Sequence, residues 1–413
     1  MKKNRLITVL CIVLCTPFWM MQANAQNTSV DLLGKNNINA ITTAVPFLLI
    51  APDARAGGMG DVGVATSPDA NCIHWNPAKM AYIDKKVGFS LSYTPWLHTL
   101  VPDINLAYLS GYRKIDKNQA FGMSLLYFSL GSITFTDINA QEIGSFTPNE
   151  LAVDLSYARK LSENFSGGLA LRYINSNLTG GVVVEGTTPS NPGRAVAADV
   201  SSYYENNKVK VQGKKTHIAA GINVSNIGNK ISYTETGSRD FIPTNLKLGG
   251  AFNVDLDQYN SFGVYLDWNK LLVPTQPIYE LDSSGNYIID ADGNKAIALG
   301  KNPKVSVPQG MMQSFNDAPG GFKEEMREIN TSVGLEYWYD KQFAIRAGFF
   351  YESPTKGNRK YITLGAGLKY NVFGLDFAYL IPLEQKNPLE NTLRFSLLFD
   401  FDAFKSQNKP EGE

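Results

Sequence analysis

Cysteine and histidine are scarce in this sequence, and their scarcity limits the chemistry that the chain can support. Of the 3 cysteines, Cys11 and Cys15 lie in the apolar N-terminal stretch, so Cys72 has no partner for an intramolecular disulfide in the rest of the chain. The 3 histidines are widely separated, at His74, His98 and His217. The sequence contains no H-E-x-x-H, G-x-S-x-G or paired-cysteine metal motif. We therefore predict no enzymatic activity, no metal site and no cofactor.

Net charge and long apolar runs are also absent. The 38 basic and 38 acidic side chains cancel, so nothing in the charge balance indicates a nucleic-acid partner. After the N-terminal stretch no apolar run reaches the length of about 18 residues that a transmembrane helix needs. The apolar segment 38–52 is too short and contains Pro46. An exported chain of this composition can span a membrane only as a closed β-barrel.

The N-terminus has the three parts of a secretory signal peptide. Basic residues at the start, Lys2, Lys3 and Arg5, precede an apolar stretch that ends in the sequence A-N-A, a small-x-small cleavage pattern. We predict that residues 1–25 are a signal peptide and that the mature chain begins at Gln26.

From residue 86 onward, apolar residues alternate with small or polar ones in segments of about ten, the length of a tilted transmembrane strand. In TLRFSLLFDF, Phe395 and Leu397 fall on one face, and Arg394 and Ser396 fall on the other. We predict an all-β fold, a transmembrane antiparallel β-barrel of about 14 strands over residues 86–402. The predicted strands start near Val87, Ile104, Phe121, Leu151, Gly167, Val196, Ile218, Leu246, Phe262, Thr331, Phe343, Ile362, Gly374 and Leu393. The sixth, AVAADVSSYY, has the weakest pattern.

The connections between these segments alternate in length. Short ones such as RKIDKN and YDKQ are typical of periplasmic turns, and long ones, the longest covering about 269–328, are typical of extracellular loops. We therefore place both termini in the periplasm, including a C-terminal tail at 403–413. Tyrosine and tryptophan recur near strand ends, as expected for interfacial girdles. They are Tyr93, Trp96, Tyr112, Trp268, Tyr339, Tyr351, Tyr370 and Tyr379.

The predicted lumen carries charges of both signs, which favours internal ion pairs over a charge-selective pore. The inward positions are Asp154, Asp199, Asp267, Glu336, Asp376 and Asp400 against Arg172, Lys247, Arg346, Lys369 and Arg394. Residues 26–85 precede the first strand, are rich in Gly, Ala, Asn and Pro, and lack a strand pattern. We expect this N-terminal segment to fold into the barrel as a hatch, or plug.

Two motifs within the chain suggest ligands but fit simpler interpretations better. Gly58, Gly60 and Gly63 have the G-x-G-x-x-G spacing of a dinucleotide loop, yet Pro68 interrupts the helix that such a loop requires, and no strand-helix units follow. We expect these glycines to allow close backbone packing. In the longest loop, DSSGNYIIDADGNKAI at 282–297 resembles the start of a calcium loop but lacks its final glutamate, so we expect two turns around the short strand NYII and leave calcium open.

The stretch AVPFLLIAPDARAGGMGDVGVATSPDANCIHWNPAKMAY at 44–82 resembles FadL-type outer-membrane barrels, in which a Gly-rich segment is followed by Asn-Pro-Ala. Its fuller wording, with SYTPWL and the region from AVAADV to NVSNIG, is similar to the PorV family of the type IX secretion system of Bacteroidetes. The resemblance covers nearly the whole mature chain. On this basis the hatch residues are predicted to be Arg55, Gly57, Gly58, Met59, Gly60, Asn76, Pro77 and Ala78.

The resemblance implies an outer-membrane protein that binds the C-terminal signal domain of secreted cargo at the cell surface. Such proteins receive cargo from a giant translocon barrel and carry it to a sortase complex, which attaches it to lipopolysaccharide. The expected partners are therefore the translocon, cargo signal domains, the sortase complex, and outer-membrane lipid. The alternative is a FadL-type transporter of hydrophobic small molecules; an enzyme acting on lipopolysaccharide acyl chains ranks last.

Overall fold

The computed structural model describes residues 39–98, 101–136, 139, 141–178, 180, 191–234, 239–291, 293–384 and 387–401. The predicted signal peptide and the predicted C-terminal tail lie outside these residues. All helices and strands of the described part belong to one compact unit, which begins at Ile41.

Fourteen antiparallel strands form a closed barrel in which each strand pairs with the next barrel strand along the chain, and the first pairs with the last. This confirms the predicted fold class and strand number. Each barrel strand begins at the predicted residue or slightly before it. The bounds of all strands are β1 Val87–Pro95, β2 Ile104–Lys114, β3 Gln119–Leu130, β4 Ile133–Thr136, β5 Glu142–Phe146, β6 Asn149–Lys160, β7 Phe165–Asn177, β8 Gly193–Val211, β9 Lys214–Gly228, β10 Asn245–Asp255, β11 Asn260–Leu271, β12 Ile278–Tyr279, β13 Ile297–Leu299, β14 Asn330–Tyr339, β15 Phe343–Tyr351, β16 Lys360–Tyr370, β17 Phe373–Pro382 and β18 Leu393–Asp400.

Side chains that alternate between apolar and polar along each strand also alternate between exposed and buried in the structure. In β18, Phe395 and Leu397 are 40% and 42% exposed, whereas Arg394 and Ser396 are 2% and 0% exposed. Because successive side chains of a strand point to opposite faces, the apolar set covers the outside of the barrel and the polar set lines its inside.

Inward charges pair with one another, as the mixed signs predicted. Arg172 contacts Asp154 at 2.5 Å and Asp199 at 3.2 Å. Arg346 likewise contacts Asp376 at 2.7 Å. These pairs fix the inner wall, because a charge taken out of water needs an opposite charge and hydrogen bonds to be tolerated.

Three details differ from the sequence-based expectation. The sixth barrel strand, β8, had the weakest pattern but is 19 residues long, and with β9 it extends beyond the end of β7. Two strand pairs outside the barrel were not predicted, β4 with β5 and β12 with β13. Tyr112 was placed in the aromatic girdle but is buried, whereas Tyr93, Trp268 and Tyr370 are exposed as a girdle requires.

Helices occur only as short pieces in the described ranges. Two α-helices, α1 (Ala54–Gly57) and α2 (Cys72–Trp75), and two 3-10 helices, Pro46–Leu49 and Pro77–Tyr82, precede the first strand. Two more, α3 (Val307–Gln313) and α4 (Phe322–Arg327), lie in the long connection between β11 and β14, which covers residues 272–329. Among the residues that the structure describes, no helix is both long and apolar enough to cross a membrane.

Candidate functional site

The residues before the first strand, 41–85, form what we call the lumen segment, which packs against the inner wall of the barrel. Met59, Ile73 and Met80 share one hydrophobic cluster with inward-facing Tyr203 and Tyr265. Each of these side chains is at most 2% exposed. The lumen segment therefore contributes to the core of the barrel.

Local capping signals explain how the lumen segment turns inside the barrel. Asp53 caps α1 by accepting a hydrogen bond from the backbone N–H of Ala56 at 2.9 Å. Asn76 caps the following 3-10 helix, Pro77–Tyr82, in the same way through the N–H of Ala78 at 3.1 Å. Pro77 suits the first helical position because no N–H is needed there. Asp53 also accepts a 2.7 Å bond from the indole of Trp75, which ties the two helices together.

Backbone amides of the first half of the lumen segment are satisfied by the barrel wall. The N–H groups of Gly63 and Val64 both donate to the carboxylate of Asp267 on β11, at 2.7 and 2.9 Å. The N–H of Gly60 donates to the hydroxyl of Thr363 on β16 at 2.8 Å. Since irregular backbone cannot satisfy its own amides, inward polar side chains of the barrel fulfil that need.

The second half of the lumen segment is bound to the opposite group of strands, β7, β8 and β9. The Asn76 amide donates to the backbone carbonyl of Ser202 at 3.0 Å, and the Ser166 hydroxyl donates to the carbonyl of Ala78 at 2.8 Å. The Asn223 amide donates to the carbonyl of Trp75 at 3.0 Å. The segment is thus held from several sides of the barrel.

Arg55 is the centre of a buried ion network. Its guanidinium donates two bonds of 3.1 Å to the carboxylate of Glu336 on β14 and one of 2.9 Å to Asp69. Glu336 also accepts a 2.9 Å bond from Arg346, which in turn contacts Asp376. The bidentate geometry fixes the orientation of Arg55 as well as its charge.

A second ion pair joins Asp61 to strand β18, and a hydrogen bond joins it to β16. Asp61 accepts a 2.5 Å bond from Arg394 on β18 and a 2.6 Å bond from the hydroxyl of Tyr361 on β16. Asp61 itself adopts a left-handed conformation with φ of 63°, which aspartate tolerates better than most residues.

Burial and partners set the ionisation of the lumen segment. Burial raises the pKa of Asp53 to about 6, and the negative charge of Asp69 adds to the effect. For Asp69, burial also favours the neutral acid, but Arg55 and Lys79 outweigh it and lower the pKa below 3.8. Burial raises the pKa of the Cys72 thiol to about 12. Cys72 is therefore a buried thiol without nucleophilic character.

Two backbone segments approach each other so closely at Gly60 and Gly348 that both positions require glycine. Gly60 has a φ of 71°, and a Cβ added to it would lie 2.6 Å from the backbone nitrogen of Phe349. A Cβ added to Gly348 on β15 would lie 2.0 Å from the nitrogen of Gly60. Only glycine fits at both positions, since either added Cβ would overlap main-chain atoms that cannot move away.

The structure places the predicted hatch residues in two groups within the lumen segment. Arg55, Gly57, Gly58, Met59 and Gly60 lie against the strands from β14 to β18, with Gly58 meeting the backbone of Gly365. Asn76, Pro77 and Ala78 lie against β7, β8 and β9. Sequence reasoning missed the contributions of Asp53, Asp61 and Asp69. The capping role of Asp53 could have been found from its position immediately before a helical stretch.

The connection at 272–329 forms a second ordered region, which we call the outer loop. Lys270, at the end of β11, donates to the carboxylates of Glu325 at 3.0 Å and Glu328 at 2.6 Å. Lys356 donates to Glu328 at 2.9 Å. Glu328 also accepts a 2.6 Å bond from the Thr275 hydroxyl, so this carboxylate ties both ends of the loop to the barrel.

The acidic motif within the outer loop forms turns. Asp282 accepts backbone bonds from Ser284 and Asn286, and Asp290 accepts one from Asn294. The predicted strand NYII is reduced to single bridges, and Asp292 lies outside the described residues. No group of three or more His, Cys, Asp or Glu side chains with metal-binding geometry occurs in the part of the chain that the structure describes.

Comparison with known proteins gives a family match and a set of similar solved structures. The family model for "Type IX secretion system protein PorV" matches residues 33–278. The toluene transporter TbuX of Ralstonia pickettii is 12% identical with a TM-score of 0.46, and the match covers 85% of this chain and 98% of that one. The toluene transporter TodX of Pseudomonas putida is 12% identical with a TM-score of 0.45, over 87% and 98% of the two chains. No curated protein matches this chain in sequence.

Proposed function

Because the chain belongs to the PorV family of type IX secretion system proteins, we propose that it binds the C-terminal signal domain of cargo proteins at the cell surface and shuttles them from the translocon to the sortase complex. As a family member it is an integral outer-membrane β-barrel and a component of that secretion system. The family match is the observation that carries the proposal. Cargo, translocon, sortase complex and lipopolysaccharide are the proposed partners.

The lumen segment supports a role for the barrel as a closed scaffold. Its contacts include the buried ion pair between Arg55 and Glu336 and the backbone bonds to Asp267. Opening a path through the barrel would require these buried groups to lose their partners, at a cost of several kcal/mol for each charge. We propose that the segment is a hatch that stays in place while function occurs outside the lumen.

The outer loops supply the proposed cargo-binding surface. The strands β12 and β13 form a two-stranded sheet outside the barrel, and a small sheet of this kind can accept an incoming strand at an edge. A β-rich signal domain could extend such a sheet by strand addition. This proposal involves no catalytic step, and recognition by loops on a rigid barrel is sufficient for it.

The experiment is a gentle detergent extraction of the tagged protein from its own outer membrane, followed by mass spectrometry of all co-purifying proteins and lipids. We expect a very large barrel protein or exported proteins that retain a common C-terminal β-domain. A preparation that contains only fatty acids or other apolar small molecules would overturn the shuttle proposal and favour FadL-type transport.

A pair of loop variants locates the binding surface. Replacing residues 278–299, which include β12 and β13, by a short Gly-Ser linker should abolish cargo recovery and leave the barrel folded. The matched control replaces residues 133–146, the other strand pair outside the barrel, with the same linker. The same loss of cargo in both variants, or no loss in either, would contradict a specific role for the β12–β13 sheet.

A further inference from the structure

Helix α4 in the outer loop has the opposite arrangement from an ordinary surface helix. Its acidic side chain Glu325 is 6% exposed, whereas Phe322 and Met326 are 78% and 51% exposed. Glu325 is held inward by Lys270 at 3.0 Å and by the backbone N–H of Ala318 at 2.8 Å. A helix normally buries its apolar face and exposes its charges, so the exposed apolar face of α4 indicates a contact made outside the chain.

The exposed face of α4 borders a groove on the outside of the barrel, which we call the outer groove. One wall consists of Leu248 on β10 and Trp268 on β11, and the other of Phe315, Phe322 and Met326. The groove has a volume of about 250 Å³. Leu248 and Trp268 are 37% and 46% exposed, because they belong to the outward, lipid-facing rows of their strands.

The outer groove is fixed in place by the ion network beneath it. Glu328 follows α4 directly and accepts bonds from Lys270, Lys356 and Thr275. All four residues are buried. The apolar side chains of α4 are therefore held outward by the fold, since turning them inward would expose paired charges and break this network.

The position of the outer groove and the charges beside it indicate which molecule it binds. The groove is continuous with the lipid-facing surface of the barrel, and Trp268 stands where a strand leaves the apolar band, so bilayer lipid is the nearest apolar material. On α4, Lys323 and Arg327 form a basic row beside the row of Phe322 and Met326. Basic residues at this level attract anionic headgroups.

We propose that the outer groove binds an acyl chain of an anionic lipid from the leaflet around this end of the barrel, with its headgroup at Lys323 and Arg327. The proposal goes beyond cargo transfer and requires only the outer-membrane location. Cargo recovery and lipid binding are measured separately, so either proposal can fail without the other.

Lipid titration with native mass spectrometry tests this site. The purified, delipidated protein in detergent is titrated with phosphatidylglycerol and, separately, with phosphatidylcholine. We expect tight retention of phosphatidylglycerol and weaker retention of phosphatidylcholine. Lys323→Gln with Arg327→Gln should weaken phosphatidylglycerol binding about tenfold and remove the preference. The control pair Lys214→Gln and Lys215→Gln, at the opposite end of the barrel, should leave both unchanged.

The apolar wall is tested in the same way. Phe322→Ser with Met326→Ser should weaken retention of both lipids about tenfold. Met312→Ser with Phe343→Ser removes equally exposed apolar side chains elsewhere and should have no effect. Equal binding in all variants, or equal loss in the groove and control variants, would overturn the proposal.

A photo-crosslinker at position 322 in the native outer membrane identifies the occupant directly. Crosslinks to lipid support the proposal. Crosslinks to another membrane protein or to a second copy of this chain would identify a protein interface and overturn it.

Discussion

The lumen segment and the outer loop are both irregular, and buried ion pairs hold each of them against the barrel, yet their apolar side chains have opposite environments. Met59 and Ile73 in the lumen segment are 1% and 0% exposed, whereas Met312 and Phe322 in the outer loop are 75% and 78% exposed. Ion pairs therefore do not distinguish the two regions. The exposure of their apolar side chains does distinguish them, because a region that leaves large apolar groups uncovered provides a surface for another molecule.

The difference also separates stability from function. The lumen segment has exchanged its contacts with water for contacts with the barrel, so changes in it should act on folding. The proposed role of the outer loop is to contact the molecules around it, so changes in its exposed face should act on binding. The following predictions test this division between effects on folding and effects on binding.

Breaking the ion network of the lumen segment should have the largest effect. Glu336→Gln removes the charge that Arg55 and Arg346 share, and we expect the free energy of unfolding to fall by about 3–5 kcal/mol because two buried guanidinium groups lose a partner. Urea unfolding of the barrel in detergent measures it. Glu163→Gln removes the partner of Lys208 in an exposed pair and should leave the free energy of unfolding nearly unchanged, because solvent screens this pair. Similar losses in both variants would contradict the account.

The second largest expected effect is the pH dependence of the free energy of unfolding, which arises from Asp53 in the lumen segment. The pKa of Asp53 is raised from 3.8 to about 6 in the docked segment, so docking favours the protonated acid. The stabilisation is complete below pH 3.8 and is lost as the pH rises to about 6, by about 3 kcal/mol from 1.36 kcal/mol per pH unit. The measurement is unfolding free energy against pH. Asp53→Asn should remove this slope, and an unchanged slope would refute the assignment.

Close packing inside the barrel should have a smaller effect. Gly348→Ala places a methyl group against the backbone of Met59 and Gly60, and we expect a loss of about 1–3 kcal/mol in the free energy of unfolding. Gly250→Ala is the matched control, because a Cβ at that strand position meets nothing within 4 Å. If the two variants were equally stable, close approach would not be the reason for glycine at 348.

The outer loop should respond most weakly in global stability. Glu328→Gln weakens the link between Lys270 and Lys356, and we expect a local loss of about 1–3 kcal/mol that frees the loop but leaves barrel unfolding unchanged. Limited proteolysis at Lys301 and Lys304 should become faster. Glu280→Gln changes an exposed carboxylate of the same loop that makes no salt bridge to Lys270 or Lys356, so it serves as control. Equal cleavage of both variants would contradict the anchoring role.

The barrel strands were predictable because a strand between lipid and a polar lumen repeats with period two at every position. The inward position of Glu336 followed from the same pattern. Its partner did not, because Arg55 lies 281 residues away and only the closed fold brings the two together. The face of α4 was equally hidden, since a row of Phe322 and Met326 reads as an ordinary buried face until the position of Glu325 is known.

The most direct measurement is the labelling rate of Cys72 by a membrane-permeant thiol reagent, with and without a saturating cargo signal domain. Cys72 is fully buried, and its pKa is raised to about 12 by burial, so it reacts only when the lumen segment leaves the barrel wall. The account predicts the same slow labelling in both states, because cargo binds to outer loops on a closed barrel. Faster labelling with cargo bound would contradict it and indicate that the hatch opens during function.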